Sequence, residues 1–272
     1  MTTPDHIQAA RELLAFYAEA GVDALLGEEP VDRLSAAQIE SAPAPAPRAE
    51  LPRPALPLRA APEIAPGAPA TPEVAVMAAR EAARSAASLH DLRDILLKFE
   101  GCALRTTAKQ LVFADGNPQA RLMLVGEAPG REEDLEGLPF VGRSGKLLDL
   151  MLAAIGIDRG GAYIANIIPW RPPGNRTPTP QESQICLPFI QRQIELANPD
   201  VLVCLGGPST QTLLGVKEGI KRTRGKWFAF HTGTREIRAV ATFHPAYLLR
   251  SPLEKRFAWR DFLAIKKALG AS

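Results

Sequence analysis

The sequence predicts an α/β protein built on a parallel sheet with helices on both faces. Three observations predict it. Apolar runs of strand length recur through the second half of the chain: LMLVGE (122–127), YIANII (163–168), VLVCLGG (201–207) and EIRAVATFHP (236–245). Their near-continuous apolar character is that of strands buried on both faces. Stretches with helical spacing separate them, which makes the strands parallel neighbours linked by crossovers. Polar landmarks also gather at the C-terminal ends of the runs: GEAPG after the first, Asn166 in the second and HPAYLLR after the last. Open parallel sheets hold their ligands at those ends.

Taken in order, residues 5–27 place Ile7, Leu13, Leu14, Tyr17, Val22, Leu25 and Leu26 at helical spacing, so an N-terminal helical segment is expected over 1–34. Residues 41–75 hold ten of the 25 prolines. Proline lacks the N–H that a helix or sheet ladder needs, so residues 35–75 read as a semi-rigid Pro/Ala-rich linker. The main domain is expected over 76–272, entered through a helix that resumes near residue 76. Within it, helices are expected at 144–156, 180–199, 208–215 and 252–269, giving a central, mostly parallel, four-stranded sheet.

Bulk properties narrow the function classes. The net charge of +2 is uneven. Residues 1–100 carry 9 Lys/Arg and 15 Asp/Glu, whereas residues 101–272 carry 23 and 15. The basic half fits a polyanionic partner. KEGIKRTRGK (217–226) concentrates five of these cations. No apolar run approaches the ~18–20 residues that span a bilayer. The N-terminus has no basic region followed by an apolar one, so a cytoplasmic protein is expected. Three cysteines with no C-x-x-C spacing argue against a disulfide framework, and Cys204 reads as a buried apolar residue.

GEAPGREEDLEGLPFVG (126–142) is neither a dinucleotide fingerprint nor a Walker loop. Its carboxylates, Glu127, Glu132, Glu133, Asp134 and Glu136, disfavour a phosphate. A neutral planar ring fits better. Backbone groups read its edge, and Phe140 stacks on its face. The Asn166 amide offers an acceptor and two donors, a match for the O4 and N3–H edge of uracil. Taken alone, Phe140 reads equally as core and His244 as a structural histidine at a strand end.

GEAPGREEDLEGLPFVG, then YIANIIPWRPPGNRTP, then HPAYLLR, in that order and spacing, resemble the family-four uracil-DNA glycosylases. The stretches VFADGNPQARLMLVG and TRGKWF extend the similarity over about residues 98–270. The resemblance implies a three-layer α/β/α fold and a monofunctional DNA-repair glycosylase that hydrolyses the N-glycosidic bond of deoxyuridine. It implies a uracil pocket of Gly126, Glu127, Ala128, Phe140, Asn166 and His244, with His244 donating to O2. Glu133 is the candidate for activating water, Asn175 for orienting it. Leu248 is expected to fill the gap left by the flipped base. Arg250, Lys221, Arg222 and Arg224 are expected to contact DNA, single- or double-stranded, with the protein a monomer. A protein that binds uracil-DNA without turnover is the alternative.

The family's pattern also implies a four-iron cluster on four cysteines. Here Cys102 and Cys186 match two of those positions, but Phe99 and Trp170 stand at the others. Two thiolates do not make the four-cysteine set such a cluster needs. The expectation is therefore a chain without metal or cofactor, its two cysteines buried remnants and its two aromatics filling the cluster's volume.

Overall fold

The computed structural model describes residues 72–270; the expected N-terminal helical segment and the linker up to residue 71 lie outside them. The first helix, α1 (Pro72–Ser85), begins four residues before the expected boundary. Proline is at home in a first helical turn, where its missing N–H would have no partner anyway. Helix α2 (Leu89–Lys98) follows, capped by the Ser88 hydroxyl, which accepts from the Asp91 N–H at 3.1 Å. After a single helical turn, α3 (Leu104–Thr107), the chain enters the sheet.

The sheet has six strands, not four. They are β1 (Asp115–Gly116), β2 (Leu122–Gly126), β3 (Tyr163–Asn166), β4 (Val201–Leu205), β5 (Trp227–His231) and β6 (Glu236–Thr242). Their order is β1-β3-β2-β4-β6-β5. The four expected strands form the parallel centre, and β1 and β5 close its two edges in antiparallel pairing. Both additions fall outside the alternation of strand and crossover helix that revealed the others. β1 is two residues long, and β5, although WFAF (227–230) is apolar, is a mostly exposed edge strand that pairs antiparallel with the β6 that follows it.

Every residue of β2, β3 and β4 is buried, because the pleat sends alternate side chains into two cores. Met123, Val125, Ala165, Leu202 and Cys204 face α1, α2 and α6 (Pro180–Ala197). Leu122, Leu124, Ile164, Val203 and Val240 face α5 (Arg143–Ala153) and α10 (Lys255–Gly270). This is the three-layer α/β/α arrangement. The remaining helices are short: α4 (Arg131–Glu136), α7 (Gly207–Leu214), α8 (Ile220–Thr223) and α9 (Pro245–Arg250). No helix among the described residues is long and apolar enough to cross a membrane.

The chain steps from β2 to β3 on one side, then from β3 across β2 to β4 on the other. Such a reversal opens a crevice at the C-terminal ends of the strands. The parallel register sets Gly126 beside Asn166 there.

Candidate active site

A cleft of about 670 Å³ lies at that crevice, a size typical of small-molecule sites. Four strand ends build its floor and walls. β2 delivers Glu127, Ala128 and Gly130; β3 delivers Asn166; β4 delivers Gly206, Gly207 and Pro208; β6 delivers Phe243 and His244. Phe140, Asn175, Ile220, Tyr247 and Arg250 complete it.

Asn166 is only 4% exposed, and its side-chain Oδ1 is buried with no hydrogen-bond partner. An unpaired buried acceptor costs about 1–3 kcal/mol, so an arrangement that keeps one needs a compensating use. Gly126 explains how it is held. A Cβ there would lie 2.4 Å from the Asn166 Oδ1 and 2.7 Å from the Phe140 Cζ. The amide and the ring therefore close over a bare backbone, and any side chain at 126 would displace them.

Phe140 is 4% exposed and takes φ of 55°, a left-handed conformation that a bulky residue rarely adopts. The following helix fixes it there. A Cβ on Gly145 in α5 would come within 1.7 Å of the Phe140 carbonyl oxygen, so the approach exists only because 145 is glycine. The Phe140 ring stacks on the His244 imidazole, with centroids 5.4 Å apart and planes at 29°.

His244 caps α9, its Nδ1 accepting from the Ala246 N–H at 3.1 Å. That bond fixes the tautomer. A neutral ring that accepts at Nδ1 carries its proton at Nε2, leaving one N–H to donate. Burial, with the nearby Arg250 charge as the lesser cause, pulls the imidazole down to about 4. The ring is therefore neutral at physiological pH.

The two expected carboxylates differ in environment. Glu133 is 7% exposed, and each of its oxygens takes a backbone N–H, Gly130 at 3.0 Å and Gly142 at 3.1 Å. It ties the GEAPG turn to the start of α5, which is a positioning task. Glu127 takes no such bonds among the described residues, and burial raises its pKa above the ordinary carboxylate value. Asn175 stands at the cleft mouth with φ of 55°, its Oδ1 accepting from the Arg171 Nε at 2.7 Å.

Two expected DNA contacts are corrected. Leu248 is 1% exposed and packs with Phe243 and Ala258 in a small core beneath α9, so it is not presented to a base stack. The short helix turns its fourth residue inward, which linear spacing from His244 did not reveal. Arg224 is committed to buried Asp261, to the Phe257 carbonyl at 3.0 Å, and to the Phe243 and Phe257 rings. Replacing it leaves a carboxylate that is 2% exposed without its cation, with the Thr242 hydroxyl, donating to Oδ2 at 2.7 Å, as its remaining side-chain partner. Arg224→Ala is expected to cost about 3–5 kcal/mol in urea unfolding, while leaving the salt dependence of DNA affinity unchanged. Lys221 and Arg222, in the same segment, are exposed on α8, and Arg250 is exposed at the cleft rim.

Residues 206–208 and Tyr247 were not among the expected site residues. The double glycine directly after VLVCL was a usable signal, because φ of 92° at Gly206 lets that backbone turn into the cleft. A Cβ there would sit 3.0 Å from the His244 Cβ.

Cys102 and Cys186 are buried free thiols whose mutual interaction lowers the Cys102 pKa and raises that of Cys186. Phe99 and Trp170 are buried in the same core, with the Phe99 ring edge-on to Phe189 at 4.9 Å. Among the described residues no group of three His, Cys, Asp or Glu side chains is placed to hold a metal ion.

The family model described as the uracil DNA glycosylase superfamily matches residues 113–263. A type-4 uracil-DNA glycosylase of Archaeoglobus fulgidus is 38% identical over 187 residues, covering 67% of this chain and 94% of that protein. One from Thermotoga maritima is 43% identical over 57% of this chain and 79% of its own length. One from Saccharolobus solfataricus is 37% identical over 66% and 86%.

Proposed function

We infer that this chain, which belongs to the uracil-DNA glycosylase superfamily, hydrolyses the N-glycosidic bond of deoxyuridine in DNA, freeing uracil and leaving an abasic site for base-excision repair. The observation that carries this is the partnerless Oδ1 of Asn166, buried at the back of the cleft. Uracil N3–H supplies the missing donor, and O4 receives the amide N–H. Phe140 offers its face to the ring. A base inside a stack cannot reach such a recess, so the nucleotide is flipped out.

When the C1′–N1 bond breaks, its electron pair passes to the base, and negative charge grows on O2. The Nε2–H of His244 is the donor for that oxygen, and a neutral imidazole already oriented by its cap needs no reorganisation. Water adds to C1′ and loses a proton. Position 128 is alanine and contributes no acid or base. We assign the proton-accepting carboxylate to Glu127, whose raised pKa suits a base, in place of Glu133, which holds the loop. Asn175 at the cleft mouth orients the water. Lys221, Arg222 and Arg250 contact the DNA phosphates, and the enzyme acts as a cytoplasmic monomer.

The chemistry proposed here needs no cluster. Two thiols beside Phe99 and Trp170 are not the donor set of a four-iron centre. Protein purified without air should contain no iron in stoichiometric ratio to chain by elemental analysis; a full cluster per chain contradicts this.

The function is tested by incubating excess enzyme with a uracil-containing oligonucleotide and quantifying both products. One free uracil per alkali-labile site is expected. Tight uracil-selective binding with no free base would instead make the protein a non-turnover binder.

A further inference from the structure

With Leu248 inside the core, the gap left by a flipped nucleotide needs another occupant. The chain leaves α9 at Arg250, makes one 3-10 turn over Pro252–Glu254, and enters α10 at Lys255. At the tip of that turn Leu253 is 85% exposed, the most exposed large apolar side chain among the described residues. A lone exposed leucine is ordinary on a protein surface; its surroundings here are not. Arg250, on the cleft rim, lies three residues before it, within about 11 Å along the chain. Glu254 follows Leu253 in the same turn, then come Lys255 and Arg256, and Arg260 lies one turn further along α10.

Arg256 and Arg260 are exposed, and among the described residues neither has an acidic partner. Both lie over the Phe257 ring, at 4.7 and 5.9 Å from its centroid. Phe257 in turn packs on the small core that holds Leu248, Ile220 and Tyr247, and the last two line the cleft. The corner is thus fastened to the cleft wall and presents one apolar tip, with a single acid, Glu254, beside it and Arg250, Lys255, Arg256 and Arg260 around it. An apolar wedge between base steps with cations on the flanking backbone is how proteins open a stack.

We propose that the corner between α9 and α10 engages duplex DNA beside the flipped nucleotide, with Leu253 filling the gap in the base stack and Arg256 and Arg260 holding the adjoining backbone. The proposal rests on the glycosylase reading above. A wedge matters only where a partner strand must be held apart, so its removal should separate duplex from single strand.

The test is single-turnover uracil release from a U·A duplex and from the same uracil strand alone, with wild type, Leu253→Ala and Leu253→Phe. Leu253→Ala is expected to lose about tenfold or more on the duplex, to stay near wild type on the single strand, and to be restored by Leu253→Phe. A 2-aminopurine beside the uracil should brighten when wild type binds the duplex and stay dim with Leu253→Ala. That signal reads stack opening whether or not the base is released, so failure of the wedge and failure of the glycosylase reading are distinguishable. Equal loss on both substrates, or no loss on either with full brightening, overturns the proposal and assigns the exposed leucine to another surface.

Discussion

Asn166→Ala is expected to lower single-turnover release of uracil by about a thousandfold, because a recess built to pair a ring edge loses both its acceptor and its donors. The variant should fold as well as wild type. In the free protein the Asn166 Oδ1 is an unpaired buried acceptor, so its removal lifts a cost instead of breaking a bond. The side chain borders the open cleft, so truncation adds to that cleft without creating a sealed void. Chemical denaturation run beside the rate measurement checks this. A lost rate with an unfolding midpoint no lower than wild type is the predicted pair; a matching fall in stability would make Asn166 a structural residue.

His244→Ala is expected to reduce the same rate by about 10²–10³-fold, the effect of deleting one donor aimed at developing charge. The pH profile identifies the form at work. With the imidazole held down at about 4, wild type should show no change of rate as pH passes the ordinary histidine value. As pH is lowered, the rate should fall at a pH above the ordinary carboxylate value, where Glu127, whose proton affinity is raised by burial, takes up its proton, and that limb should vanish from the residual activity of Glu127→Gln. For stability the sign is fixed by the same shift. A depressed folded-state pKa means that His244 favours the folded protein at neutral pH. That contribution is lost as pH falls from the ordinary histidine value through about 4. A rate limb near the ordinary histidine value would show instead that His244 titrates freely and that its cap does not hold.

The parallel centre of the sheet was legible because strands buried on both faces have no choice but continuous apolar sequence. β5 was not, although WFAF is apolar, because it joins β6 through a short hairpin and so falls outside the alternation of strand and helix, and β1 is too short to carry any period. Asn166 stood out for the same reason that the strand did: an amide inside an apolar run must be answered by something. Leu248 was misread because spacing along a chain does not give the direction in which a six-residue helix turns its side chains. Arg224 was misread because a basic run looks uniformly solvated until a buried acid, Asp261, is found across it on α10. Glu133 looked like chemistry in a row of carboxylates, and only three dimensions show both its oxygens tied to the loop backbone. The left-handed Phe140 and the glycine at 145 that permits it left no trace in hydrophobic pattern at all.

The central claim is that the partnerless oxygen of Asn166 is completed by uracil. A crystal structure of the protein with uracil tests it most directly. The account predicts the base inside the cleft, with N3 about 2.7–3.2 Å from the Asn166 Oδ1, the ring parallel to Phe140, and the Nε2 of His244 facing O2. Uracil bound elsewhere, or within the cleft with that oxygen still unpaired, would contradict it.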